Sequence, residues 1–261
     1  MRTWLCEEYE FMNKLLKRAK NRVRRLLLGN GAATSIDILN EAINFDLQTI
    51  FIAIPKTGTT SVRTQIKPPG KPLVCNPHLD IVQVRDLLYP FLLRSSLGRN
   101  RSYPSKGVPT DKAIRNEANQ IFHKFFKFAA VRNPWARAVS LYFRREGVQM
   151  KEHLTFEEFC KQHSFASDTC FDPTLHKNQF DWLCDEDGKI IVDFVYKVEE
   201  FERAIEEISD RTKGRIRLTN KVSNKNPDSK SSNYREMYTD KTRKWISKTF
   251  EKDIDFFKYS F

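Results

Sequence analysis

Several things that would narrow the chemistry early are missing from this chain. Its five cysteines, Cys6, Cys75, Cys160, Cys170 and Cys184, lie far apart with no CxxC pair. An odd, sparse set argues against a disulfide framework or a zinc site and fits a reducing compartment. No stretch approaches the roughly 18 apolar residues of a membrane span, and Glu7, Glu8 and Glu10 spoil the pattern of a signal or transit peptide. A cytoplasmic location is expected, with the Golgi lumen as the alternative should an anchor precede the segment. No shift in composition marks a linker, so the expectation is an N-terminal appendage over 1–45 and one domain over 46–261.

What is present is a folded, basic composition. Of the 261 residues 40% are hydrophobic and 12% aromatic, and the net charge is +12. That balance suggests an anionic ligand or surface. Nucleic acid is what charge alone would suggest, but the only dense basic run is N-terminal, and elsewhere Lys and Arg mix with Asp and Glu; no nucleic-acid partner is expected. Residues 1–30 carry eight basic and three acidic side chains. Leu15, Leu16, Ala19, Val23, Leu26 and Leu27 fall at helical spacing among them, a basic amphipathic helix ended by Gly29, Asn30 and Gly31. It reads as a helix packed on the domain, or as one that makes peripheral contact with a membrane surface or a partner.

The most informative stretch is Thr49 to Arg63, TIFIAIPKTGTTSVR. Ile50, Phe51, Ile52 and Ile54 form a short β-branched and aromatic run stopped by Pro55, which predicts a buried strand. Gly58 then permits a tight turn, Lys56 brings positive charge, and Thr59, Thr60 and Ser61 are good helix-starting residues. A strand, a small-residue loop and a helix N-terminus together make a cradle for phosphate or sulfate.

A second helix is expected over Ile36 to Ile43. Pro68, Pro69, Pro72 and Pro77 make 67–77 an extended surface loop, followed by His78 and a helix through Ile81, Val84 and Leu88. The polar segment 94–109 reads as an insertion or lid, and another helix is expected from Thr110. Phe125 to Arg145, FFKFAAVRNPWARAVSLYFRR, is the second telling stretch. A strand ends at Arg132, Asn133 can cap a helix, and Pro134 suits its first turn. Arg132 at a strand's carboxyl end and Ser140 two turns into the helix lie where open α/β sheets place ligand contacts. Together they suit a second anion.

IPKTGTT followed by FAAVRNPWARAVSLY resembles the two cofactor loops of the sulfotransferases that use 3'-phosphoadenosine 5'-phosphosulfate (PAPS). The likeness is to the carbohydrate branch, with heparan and chondroitin sulfotransferases, and to its soluble bacterial relatives. It continues through LTFEEFC at 154–160, HKNQFDWLCDEDGKIIVDFVYKVEEF at 176–201, and YREMYTDKTRKWISKTFEKDIDFFKYSF to Phe261. The resemblance implies an α/β fold, P-loop-like, with a mainly parallel central sheet flanked by helices. It makes Lys56, Thr57, Gly58, Thr59, Thr60 and Ser61 the 5'-phosphosulfate loop, and Arg132 with Ser140 the 3'-phosphate pair. PAPS would be the co-substrate, adenosine 3',5'-bisphosphate (PAP) the product, and a hydroxyl, on a carbohydrate by family likeness, the acceptor; no metal is required. Lys56 would stabilise charge developing on the leaving oxygen.

A general base must take the acceptor proton, and five histidines are available: His78, His123, His153, His163 and His176. His78 is the first candidate, because related soluble enzymes carry a histidine at this place, and His176, in HxxQxxW, is the second. His123, beside Phe122, reads as structural, as does Glu199. Family likeness also suggests that the polar loop 222–232 closes over the nucleotide, with Lys225 and Ser231 as candidate contacts; an ordinary surface loop is the other reading. A strand is expected over 189–198, a final helix over 234–250, and a packed aromatic tail from Phe256 to Phe261, while Trp135, Tyr142 and Trp182 read as core. Alternatives to this enzyme are a P-loop kinase or nucleotidase, a sulfotransferase for a lipid or small metabolite, and a silent domain that binds PAP or sulfated glycan. The first lacks GxxxxGK[ST], since Lys56 precedes Gly58, and lacks an acidic strand end for Mg²⁺.

Overall fold

Two short strands, β1 (Asp37–Ile38) and β2 (Ile43–Asn44), stand ahead of β3 (Thr49–Ile52) in a computed structural model that describes residues 37–100, 110–143, 154–161, 178–220 and 233–261. Then come α1 (Thr59–Ile66), β4 (Lys71–Pro72), α2 (Ile81–Asn100), α3 (Asp111–Lys124) and β5 (Phe126–Val131). They are followed by α4 (Pro134–Tyr142), α5 (Phe156–Lys161), β6 (Phe194–Lys197), α6 (Phe201–Arg211), α7 (Asp240–Thr249) and α8 (Glu251–Phe257). The main sheet runs β2-β3-β5-β6, with β3, β5 and β6 parallel and β2 antiparallel to β3; β1 pairs separately with β4. This is the mainly parallel α/β sheet that the sequence predicts.

Side-chain alternation along β3 and β5 builds a core on each face, as expected of parallel strands covered on both sides. Ile50, Ile52, Ala129 and Val131 face a cluster with Ile81, Val84 and Leu88 of α2 and Ile114, Ala118 and Phe122 of α3. Phe51, Phe128 and Ala130 face the other way, onto Val62 and Ile66 of α1 and Ala204 and Ile208 of α6. A third cluster joins Trp135, Leu141 and Tyr142 of α4 to α5 and to Ile246 and Phe250. Trp135, Tyr142 and Trp182 are all buried, in keeping with the core reading.

Four expectations are corrected. The helix expected over 36–43 is replaced by β1, a turn and β2, because buried Asn40 donates to the carbonyls of Val74 and Asn76 while its Oδ1 accepts from the Ala42 amide. Such local side-chain bonds compete with helix. The lid expected from 94 begins instead as the end of α2: Arg94 pairs with Asp37 at 2.8 Å, and the hydroxyls of Ser95 and Ser96 return to helix carbonyls. The strand expected over 189–198 is confined to β6, with Ile190 in an isolated bridge to Cys184. The helix expected as the last, over 234–250, starts only at Asp240, where Thr239 and Thr242 form a reciprocal cap; a 3₁₀ turn, Tyr234–Met237, precedes it and α8 follows it. In the tail Phe256 is 51% exposed, while Phe261 packs edge-on against Trp135 and Tyr238. The N-terminal amphipathic helix and the 101–109 part of the expected lid lie outside the described residues.

Candidate functional site

The carboxyl ends of β3 and β5 are neighbours, since Ile52 stands opposite Ala129. Both expected anion segments therefore leave the sheet side by side. After β3 the backbone makes two left-handed residues, Lys56 at φ 68° and Gly58 at φ 72°, and Gly58 is the N-cap of α1. A Cβ at Gly58 would lie 3.0 Å from Val198 Cγ2, so the position needs glycine for space as well as for backbone sign. Thr57 is buried and its hydroxyl donates to the Ile54 carbonyl at 2.9 Å; it anchors the loop from beneath. Any ligand contact it makes is therefore through backbone. Gly58 is exposed, Thr59 buried, and Thr60 and Ser61 half-buried.

After β5, Asn133 accepts from the amides of Trp135 and Ala136 and caps α4 as expected. The Arg132 guanidinium crosses to the loop, and its Nη1 donates to the Lys56 carbonyl at 3.2 Å. Burial lowers its pKa, opposed by Glu199 and Tyr259, yet an arginine stays protonated at neutral pH. Ser140 is half-buried on α4, one helical turn beyond Arg137 and on the same face; its hydroxyl makes no hydrogen bond among the described residues. Arg137 is 2% exposed and donates from Nε to the Pro55 carbonyl at 3.0 Å.

His78 comes back to the same place from the proline-rich loop. Its Nδ1 is 2.5 Å from the Ala53 carbonyl oxygen. A carbonyl can only accept, so Nδ1 carries the proton and Nε2 presents a lone pair. Burial pushes the pKa down to about 4, the Ala53 bond opposes this, and the positive charges of Arg63, Arg137 and Lys56 lower it further. At neutral pH the ring is therefore uncharged. The structure thus gathers Lys56, His78 and Arg132 into one cluster. His123, in contrast, is exposed on α3, and His153, His163, His176, Lys225 and Ser231 lie outside the described residues.

Two residues that support this cluster, Gln179 and Asp253, were not singled out in the sequence, whereas Glu199 reads there as structural and Asn133 as a cap. Gln179, fully buried at the start of a 3₁₀ turn (Gln179–Leu183), grips the Arg132 backbone on both sides: its Oε1 accepts from the Arg132 amide and its Nε2 donates to the Arg132 carbonyl, each at 2.8 Å. Asp253 of α8, also fully buried, accepts in turn from the Gln179 amide and Nε2 and from the Phe180 amide. Glu199 accepts from the Asn133 amide, and Asn133 Nδ2 donates to the Ser260 carbonyl. HxxQxxW carried a signal for Gln179, whereas an aspartate in a charged amphipathic helix carries none. Beside the loop, Val198 also lines an open hollow of about 550 Å³ with Glu199, Glu200, Phe201, Glu202, Arg203 and Asn220. Its three carboxylates suit it poorly to a phosphate.

These features define a class: an α/β protein with a strand–turn–helix loop and a half-buried arginine meeting at the carboxyl ends of adjacent parallel strands. A profile of the sulfotransferase family matches residues 95–260. The chain belongs to that family and is a sulfotransferase. The matched segment contains β5, Arg132, Ser140, Gln179 and Asp253, and it begins after the Lys56 loop and His78, which stand on geometry alone. No curated protein and no solved structure matches the chain. No helix among the described residues is long and apolar enough to cross a membrane.

Proposed function

We propose that this sulfotransferase takes PAPS as its sulfuryl donor and transfers the group to a hydroxyl on a carbohydrate. The observation that supports this reading is the contact between Arg132 and the Lys56 loop, which brings the two strand-to-helix turns side by side. PAPS needs such a pair, having phosphate at both ends of its sugar. The amides at the start of α1 and Lys56 would receive the 5'-phosphosulfate, and Arg132 with Ser140 the 3'-phosphate.

His78 Nε2 would take the acceptor's proton as the acceptor oxygen bonds to sulfur. The bond from sulfur to the bridging phosphate oxygen breaks in line, and PAP leaves with that electron pair, its charge met by Lys56. The Nδ1 bond to the Ala53 carbonyl leaves Nε2 unprotonated and able to accept, which supports the base role, while burial and the nearby cations oppose the imidazolium that would form. His176 remains the second candidate base, and Lys225 and Ser231 candidate nucleotide contacts. The carbohydrate acceptor rests on the sequence resemblance, and the division into a 1–45 appendage and a 46–261 domain goes with the same reading.

Calorimetry with PAP tests the donor: wild type is expected to bind, and Arg132→Ala to bind at least tenfold more weakly, the loss of a charged hydrogen-bond donor being worth about 1.5–3 kcal/mol. No heat from wild type would sink the assignment. Labelled-sulfate transfer from PAPS across glycans, lipids and phenols then identifies the acceptor.

A further inference from the structure

Arg137 is a buried cation that the fold satisfies only in part. It is 2% exposed, its guanidinium lies 5.7 Å from the centre of the Phe250 ring, and its Nη2 is buried without a hydrogen-bond partner among the described residues. Burial pushes its pKa down to about 10, with Asp253 opposing and Arg132 reinforcing the shift, so it is still a cation at neutral pH. Asp253 forms no direct ion pair with it; the Asp253 carboxylate accepts instead from Gln179 and Phe180. A buried, partly satisfied guanidinium is costly, and groups of this kind call for a specific explanation.

The explanation lies in what Arg137 grips. Its Nε donates to the Pro55 carbonyl and Arg132 Nη1 to the next one, that of Lys56. Two arginines five residues apart thus hold consecutive peptide groups of one loop. No peptide bond among the described residues is cis, and in a planar trans unit the N–H points opposite to the C=O. Drawing the Pro55 carbonyl towards α4 turns the Lys56 amide to the far side of the loop, and drawing the Lys56 carbonyl does the same for the Thr57 amide. Between them Lys56 sits at φ 68°, a left-handed conformation that costs a non-glycine residue about 1–2 kcal/mol.

We propose that Arg137 is a positioning residue of the donor site: by fixing the Pro55 carbonyl it holds Lys56 in its left-handed conformation and aims the Lys56 and Thr57 amides at the anion. The inference rests on the reading of this loop as the phosphosulfate cradle. Two readouts separate its failure from failure of that reading. In the ligand-free protein, amide exchange is compared between wild type and Arg137→Met. Exchange at Lys56 to Ser61 is expected to rise about tenfold, the loss of one charged hydrogen bond, while the amides of Phe128 to Val131 in β5 stay unchanged. In turnover, KM for PAPS is expected to rise by a similar factor with a smaller change in kcat, and Arg137→Lys to recover part of it. Loop exchange equal to wild type, or a rise shared equally by β5, overturns the proposal whatever the donor proves to be. Should Arg137→Met fail to fold, the same comparison is made on Arg137→Lys, with an intermediate rise expected.

Discussion

Three side chains of different chemistry, Lys56, His78 and Arg132, meet around one loop, and each makes a separable prediction. Lys56→Ala should remove most sulfuryl transfer, by the roughly 10² to 10³ lost with one preorganised electrostatic partner. His78→Ala should slow turnover by roughly 10² to 10⁴ with little change in PAP affinity; steady-state rates with labelled PAPS read both, and full activity in His78→Ala would pass the base role to His176. The environment of His78 also fixes a pH dependence. Its folded pKa, about 4, lies below its ordinary 6.5, so between these values the unfolded chain binds the proton first. The stability contributed by neutral His78 is complete above pH 6.5 and is lost as pH falls towards 4. Proton NMR of ligand-free protein should place the ring's titration near pH 4, and denaturant midpoints in His78→Gln should fall less steeply across that window than in wild type. A titration near 6.5 would contradict the buried, cation-ringed setting.

Between residue and fold stand the turns that aim these groups. Gly58→Ala would force a Cβ to 3.0 Å from Val198 at φ 72°, costing about 1–2 kcal/mol and, on the proposed reading of this turn as the phosphosulfate loop, weakening PAP binding. Thr239→Ala should cost about 1 kcal/mol of cap energy and leave PAP affinity unchanged, because Thr239 caps the end of α7 remote from Phe250, the residue of that helix end that lies against Arg137. Urea unfolding together with calorimetry distinguishes the two. The same elements show what could be read from sequence. β3 and β5 were legible because apolar runs end sharply at Pro55 and at Arg132-Asn133-Pro134, where local chemistry and tertiary role agree. The 36–43 segment was not, because its conformation depends on Asn40 reaching carbonyls 34 and 36 residues away. Nor were the run of α2 past Arg94, where Ser95 and Ser96 return their hydroxyls to helix carbonyls, and the start of α7, which a threonine pair caps. In the site, Lys56 and Arg132 announce themselves by motif; that Thr57 turns its hydroxyl inward, and that Arg137 serves the loop from behind, follow only from the packing.

Over the whole molecule, the family match covers Arg132 and Ser140 and stops short of the Lys56 loop, so the proposed nucleotide site spans matched and unmatched parts of the chain. A ligand that bridges them should stabilise the fold as a unit: at 100 times its Kd, PAP is expected to add about 2.7 kcal/mol. That gain should show as a raised melting temperature in wild type and be largely absent in Arg132→Ala. The cleft's deepest attachment, however, comes from far along the chain. Asp253 secures Gln179 across 74 residues, and Gln179 secures Arg132 across another 47. Contacts of such separation form late, since the intervening chain must be ordered first. A ribosome-bound chain that has already made Lys56, His78 and Arg132 thus lacks the carboxylate that completes their setting, and donor binding should emerge in the growing polypeptide only once α8 has been synthesised and docked.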